Sequence, residues 1–440
     1  MRTLGLYSVN VGVAAALLSG CGGSQSPIGA PSAMSPVSVL ASPSSSTNYR
    51  VVYSFGAPPD GNSPIAALID DGGTLYGTTS SGGVYDCTVG TGYYFGCGTV
   101  FSVTTGGREK VLNAFTAGDG AHPHSGLIDV KGTLYGTTFL GSCCEDGNVY
   151  SMTTAGSVTV LHNFKRVLRK YGANPAAELI DVHGLLYGTT YNGGLPVKEP
   201  GSTGTVFSIT TAGAFSTVYR FNGGSDGSHP SGRLLDVDGT LYGATADGGS
   251  GCSSHYPYSG SCGTVYSLTT KGVEKVLYRF KGAADGVHPQ GGLIDVNGIF
   301  YGATAWGGGH RNCVTESNRF YGCGTIYSIT TGGKEKVLYA FTGRADGAQP
   351  NGDLIDVNGT LYGTAGGGGA SNDGTLFSVT LGGSLTVLHT FSDSPDGAEP
   401  GAGLIDVRNT LYGTTGSGGS ASCGTSAYPF GCGTVFALTP

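Results

Sequence analysis

Gly126-Leu127-Ile128-Asp129-Val130-Lys131-Gly132-Thr133-Leu134-Tyr135-Gly136-Thr137-Thr138 contains two short apolar runs separated by a Lys-Gly pair. The runs, 127–130 and 133–138, are rich in Leu, Ile, Val, Tyr and Thr and read as two strands of a hairpin. The phrase returns seven times, its tyrosine falling at Tyr76, Tyr135, Tyr187, Tyr242, Tyr301, Tyr362 and Tyr412, with gaps of 50 to 61 residues. A fixed period of this size marks a propeller or a solenoid.

Working outward, each repeat adds a third run of the Gly-Thr-Val-Phe-Ser type (204–208) and a fourth of the Lys-Val-Leu-Tyr-x-Phe type (275–280, 336–341). Asn297-Gly298 and Asn358-Gly359 stand between the first and second runs, a pair that tolerates the positive φ angles of a tight hairpin. Thr-Thr-Gly-Gly (104–107, 330–333) joins the third to the fourth. The unit is a four-stranded antiparallel meander, strands A to D, whose edges and faces stay bare unless neighbours cover them.

Strand counting separates an open stack from a ring. Strand types A, B and C each occur seven times after residue 60, and type D only six; the seventh D is residues 49–55, ahead of the first complete repeat. The chain stops at 433–440, a C strand with no D after it. The two incomplete ends are complementary, so the expected fold is all-β: a seven-bladed β-propeller of four-stranded antiparallel blades, closed by one N-terminal strand pairing with three C-terminal strands.

With 82 Gly and only 12% charged residues, the chain has abundant turns and little material for charged amphipathic helices. A formal charge of -7 argues against a nucleic-acid partner, which needs a concentrated basic face. Residues 1–20 read as a lipoprotein signal peptide: a charged start, an apolar run from Val9 to Leu18, then Leu18-Ser19-Gly20-Cys21 in the form of a lipobox, with Cys21 as the lipidation site. Gly22, rather than Asp, after that Cys suits onward transfer to an outer membrane. Residues 21–48 form a lipidated Cys and a Ser/Pro-rich tether without charge, and 49–440 the propeller. The expected protein is a monomeric lipoprotein held by a membrane, outside the cytoplasm, at the outer membrane or cell surface.

Setting Cys21 aside leaves ten cysteines, and eight fall as Cys87/Cys97, Cys252/Cys262, Cys313/Cys323 and Cys423/Cys432. The second member of each pair directly precedes the Gly-Thr of strand C, so each pair reads as a disulfide closing one B-to-C loop, in keeping with an oxidising compartment. Zinc sites favour closer spacing. Cys143 and Cys144 are adjacent in the equivalent loop of another repeat, and their state is left open.

The wording Gly-Leu-Ile-Asp-Val-x-Gly-Thr-Leu-Tyr-Gly-Thr-Thr, then Gly-Thr-Val-Phe-Ser, Val-Leu-x-x-Phe and Asp-Gly-x-x-Pro resembles the GloVer tandem repeat of bacterial surface and secreted proteins, over essentially all of residues 49–440. The resemblance implies location and fold, and no activity. The strand order is also similar to that of kelch propellers, without their paired Trp signals.

The repeated polar residues have structural explanations. An Asp ends strand A in all seven copies, from Asp70 to Asp406, as a hairpin acceptor. Asp-Gly-x-x-Pro forms the D-to-A turns. His122, His229 and His288 precede the Pro of three different repeats without a closer ligand set, and no calcium loop is present, so neither metal nor cofactor is expected. Gly223-Gly224-Ser225-Asp226-Gly227 fits a nucleophile motif but lies in a D-to-A turn, and no catalytic residue is assigned. Lys165, Arg166, Arg169 and Lys170 make one basic connection in an acidic chain.

The stapled loops carry aromatics, and Tyr94, Tyr256, Trp306, Tyr321 and Tyr428 are the candidate ligand-binding residues. The alternative is that these rings fold back over blade edges. The leading reading is a binding or interaction module for a carbohydrate or protein ligand. An extracytoplasmic hydrolase or lyase acting on a polysaccharide or other polymer is the second, and a structural surface-layer component the third.

Overall fold

Each repeat forms one antiparallel sheet in the order A-B-C-D, and seven such sheets follow one another along the chain. The computed structural model describes residues 48–440 apart from 84–85, 90–91, 142–144, 195–202, 253–260, 283, 310–312, 314–321, 422 and 424–430. The signal peptide, Cys21 and the tether up to residue 47 lie outside the described residues, as do Cys143 and Cys144. Blades 1 to 7 are numbered by their A strands: Ile69–Asp71, Ile128–Val130, Ile180–Val182, Leu235–Val237, Ile294–Val296, Ile355–Val357 and Ile405–Val407.

Closure occurs in blade 7. Asn48–Ser54 pairs with Thr434–Thr439 in the register Asn48↔Thr439 to Ser54↔Thr434, and the sheet continues through Thr410–Thr415 to Ile405–Val407. The expected assembly of one N-terminal strand with three C-terminal ones is therefore present. No α-helix occurs among the described residues; the basic connection forms a 3-10 turn, Arg166–Tyr171.

The repeated words have physical meanings. Asn297 and Gly298 have φ of 56° and 79°, the two left-handed residues of the A-to-B hairpin, and Asp295 Oδ1 accepts the Gly298 amide at 2.7 Å. The Gly of Leu-Tyr-Gly makes room for a ring: a Cβ on Gly77 would stand 2.6 Å from Cζ of Phe101 on the neighbouring C strand.

That ring in turn meets the Phe at the end of the preceding D strand. Phe55–Phe101, Phe115–Tyr150, Phe164–Phe207, Phe221–Tyr266, Phe280–Tyr327, Phe341–Phe377 and Phe391–Phe436 all meet edge to face, with centroids 4.9 to 5.5 Å apart and interplanar angles of 62° to 73°. All fourteen rings are at most 1% exposed. Each pair contributes roughly 0.5–1.5 kcal/mol beyond its buried area, so the blade-to-blade seams carry the core. Phe55–Phe101 is the seam that joins blade 7 to blade 1.

Candidate ligand-binding face

The B-to-C and D-to-A connections share one end of the ring, and backbone bonds tie them together there. The residue before each turn proline (Ser63, His122, Asn174, His229, His288, Gln349 and Glu399) has φ between 53° and 63°. Its amide donates, at 2.6 to 3.0 Å, to a carbonyl of the previous blade: Cys432, Cys97, Asp146, Thr203, Cys262, Cys323 and Asp373 respectively. Four of these acceptors are the second Cys of a disulfide, Cys87–Cys97, Cys252–Cys262, Cys313–Cys323 or Cys423–Cys432. Each stapled loop is thus fastened to the connection that leads into the next blade.

The backbone of this clamp repeats, while its side chains differ. Asn174 Nδ2 donates to the Phe139 carbonyl at 2.9 Å, and Asn192 Nδ2 donates to Asn174 Oδ1 at 3.0 Å. His229 stacks on Tyr191 with centroids 4.6 Å apart, and its Nδ1 lies 2.9 Å from Asp247 Oδ2. His288 Nε2 approaches the other oxygen of Asp247 at 3.7 Å. Two of the three histidines read from the sequence as separate therefore share one carboxylate. Burial holds the His288 imidazole below its ordinary range, against the pull of Asp247. Among the described residues no group of three or more His, Cys, Asp or Glu is arranged to hold a metal.

Toward the axis a second charged group appears. Three positions after the turn proline, the seven connections carry Ala67, Gly126, Glu178, Arg233, Gly292, Asp353 and Gly403. Arg233 Nη1 stands 3.4 Å from Glu178 Oε1, and its Nε 3.7 Å from Asp353 Oδ2, joining blades 3, 4 and 6. Asp353 Oδ1 also accepts the Gly292 amide. The Glu178 side chain is only 13% exposed. Burial pushes its carboxyl up to about 7, with Arg233 pulling down and Asp353 adding to the rise. Sequence reading missed this triad; aligning the seven repeats and asking which break the small-residue rule at that position would have found it.

A cavity of about 620 Å³ opens on the same face, lined by residues 313, 343, 348–349, 366–368, 372–373, 393, 398–399 and 417 of blades 5 to 7 and their connections. Burial and the nearby Asp393 and Asp396 raise the Asp373 carboxyl.

Of the aromatic candidates, Trp306 ends the strand Ile299–Trp306, half-buried and packed on the cluster containing Phe280 and Tyr327. Tyr94 pairs through its backbone with Cys87 in a hairpin of Asp86–Val89 and Gly92–Phe95. Tyr256, Tyr321 and Tyr428 lie outside the described residues.

The model of the Gloeobacter/Verrucomicrobia repeat matches residues 84–315 and 312–440. The chain belongs to this family. Members of the Gloeobacter/Verrucomicrobia repeat family are thus the sequence relatives of this propeller, and no curated protein sequence matches it. Among solved structures, the chain is similar to a luciferin-regenerating enzyme at 12% identity and TM-score 0.42, covering 90% of this chain and 95% of the other. It is similar to the gluconolactonase XC5397 of Xanthomonas campestris at 12% identity and TM-score 0.39, covering 89% of each chain. A europium-containing methanol dehydrogenase gives 10% identity and TM-score 0.47, over 89% of this chain and 93% of that one. None of these likenesses bears on what this chain binds. Its four disulfides are the bonding pattern of an oxidising, extracytoplasmic environment.

Proposed function

We propose that the protein is a lipid-anchored extracytoplasmic binding module that takes a carbohydrate or protein ligand on the face of the B-to-C and D-to-A connections. One observation carries the reading: seven connections with a left-handed residue and the same blade-to-blade bond repeat one rigid backbone on this face, with the side chains of Ser63, His229, Gln349 and Glu399 accessible there and those of His122, Asn174 and His288 buried. A constant, clamped backbone with varied side chains suits recognition, because little conformational freedom is lost when a ligand docks. The disulfides add to that rigidity. The sequences of the stapled loops also hold Tyr94, Tyr256, Tyr321 and Tyr428, residues suited to ligand contact, and Cys21 with its tether keeps the ring at the membrane.

A second reading, an enzyme that cleaves a polymer, is favoured by the Glu178–Arg233–Asp353 triad. A carboxyl poised near neutrality is suited to general acid-base catalysis. Against it, Arg233 already lies between two carboxylates. A glycan and polymer array with product analysis separates the readings. Retained ligand of unchanged length supports the module; shortened product that is lost in Glu178→Gln supports the enzyme, and retention of neither glycan nor protein ligands contradicts the proposal.

A further inference from the structure

Blade 6 departs from the other blades at one position, beside a glycine that it shares with Gly416 of blade 7. In six blades the residue at the end of the clamp pairing is Ser81, Leu140, Asn192, Asp247, Trp306 or Ser417, each opposite the residue that follows Asp-Gly or Tyr-Gly in the incoming connection. In blade 6 that place, opposite Ala348, is Gly367, preceded by Gly366. Neither glycine is required by the backbone: neither has a positive φ. A Cβ would find nothing nearer than 3.7 Å at Gly366 and 3.9 Å at Gly367. The missing side chains leave space, and the cavity of about 620 Å³ lies against both residues.

The lining restricts what can fill it. Among the described residues its side-chain hydrogen-bonding groups are Gln349, Asn372, Asp373, Asp393, Glu399 and Ser417, with no Lys or Arg among them. The described apolar side chains are two alanines and the Cys313 side of a disulfide, so an apolar ligand would leave the polar groups unpaired. Three carboxylates repel an anionic ligand. The volume lies within the ~300–1,000 Å³ of small-molecule sites and far above the space of an ion.

We infer that this cavity, opened by the loss of a side chain at 367 beside Gly366, is a binding site for a neutral saccharide. Sugar hydroxyls donate to the carboxylates of Asp373, Asp393 and Glu399, while the amides of Gln349 and Asn372 both donate and accept. The inference rests on the proposed binding role of this face and gives its ligand class.

The test uses the full chain in calorimetric titrations against neutral tetrasaccharides (maltotetraose, cellotetraose, xylotetraose, mannotetraose and tetra-N-acetylchitotetraose), with tetragalacturonate and spermidine for comparison. At least one neutral sugar should bind saturably and tetragalacturonate should not. Gly367→Trp, which installs the residue blade 5 carries at the equivalent place, should weaken binding at least tenfold at unchanged melting temperature. Asp373→Asn and Glu399→Gln, both isosteric, each provide a second arm that leaves the backbone alone, with several-fold weakening expected. Binding of none of the neutral sugars, or of the acidic or amine ligand alone, overturns the saccharide assignment. A sugar that binds a folded Gly367→Trp and both other variants unchanged overturns the cavity and leaves the binding face standing. A protein ligand found on an array in place of sugars overturns the inference while the module reading survives.

Discussion

Gly433 lies against Pro64 across the junction between the two ends of the chain: a Cβ at Gly433 would stand 2.6 Å from Pro64 Cδ and would also strike the Thr415 carbonyl oxygen. The same relation holds at every seam, as between Gly98 and Pro123 or Gly374 and Pro400. It explains why the Gly of each C-strand phrase and the Pro of each connection recur together: one seats against the other. Gly433→Ala should therefore destabilise the propeller by roughly 1–3 kcal/mol, the range for overpacking. Gly132→Ala is the control, since Gly132 also has a positive φ, 81°, but nothing within 4 Å of its Cβ. Urea unfolding should rank Gly433→Ala well below Gly132→Ala, and equal midpoints would remove the contact from the account.

Closure makes a second expectation. Removal of residues 22–55 deletes the strand Asn48–Ser54 and Phe55, leaving Thr434–Thr439 unpaired on one side and Phe101 without its partner. An exposed edge strand invites association. Size-exclusion chromatography should show aggregates for this deletion, and a monomeric ring for the deletion of 22–47.

This much was legible in the sequence because each seam, hairpin and turn uses local words repeated seven times, and repetition exposes them. The incomplete first and last repeats gave closure for the same reason. Legibility failed at departures from the repeat. Glu178, Arg233 and Asp353 are singular among seven aligned positions, and only the ring brings them together. Asp247 joins two histidines of successive connections because its strand, Thr240–Asp247, runs to the same end of the blade. The cavity is opened by what Gly367 lacks, in a chain where glycine is too common for one more to stand out.

His162 supplies a pH dependence. At its place on the D strand other blades carry Tyr53, Tyr219, Tyr278 or Tyr339, each donating to the Asp of the following Asp-Gly turn at 2.8 to 2.9 Å. The turn after His162 has Tyr171 in place of that Asp, and His162 stacks on Phe215 at 3.9 Å. Burial, helped by the Lys165 charge, lowers its imidazole to about 4. Between about 4 and the ordinary value of 6.5 the unfolded chain binds a proton that the folded chain refuses, so stability rises with pH through this window and is lost as pH falls. His162→Phe should lose less stability than the parent between pH 7 and pH 5 in urea titrations. Identical losses would show that the His162 imidazole protonates in place.

The proposed anchor is tested at one atom. Cys21→Ser removes the sulfur that would carry lipid, and the protein should move from the membrane fraction to the soluble fraction of expressing cells. Retention in the membrane fraction would mean that something other than this thiol holds it.

The central claim is that the clamped face of the closed ring does the binding. Hydrogen exchange of the full chain, with and without the ligand retained on the array, reads this directly. The account predicts slowed exchange confined to the B-to-C and D-to-A connections, with 343–349, 366–374 and 393–403 among the protected segments when the ligand is a neutral saccharide. Protection instead at the A-to-B and C-to-D turns, such as 297–298 and 330–333, or along the outer strands Glu274–Arg279 and Glu335–Ala340, would place the ligand elsewhere on the ring and contradict it.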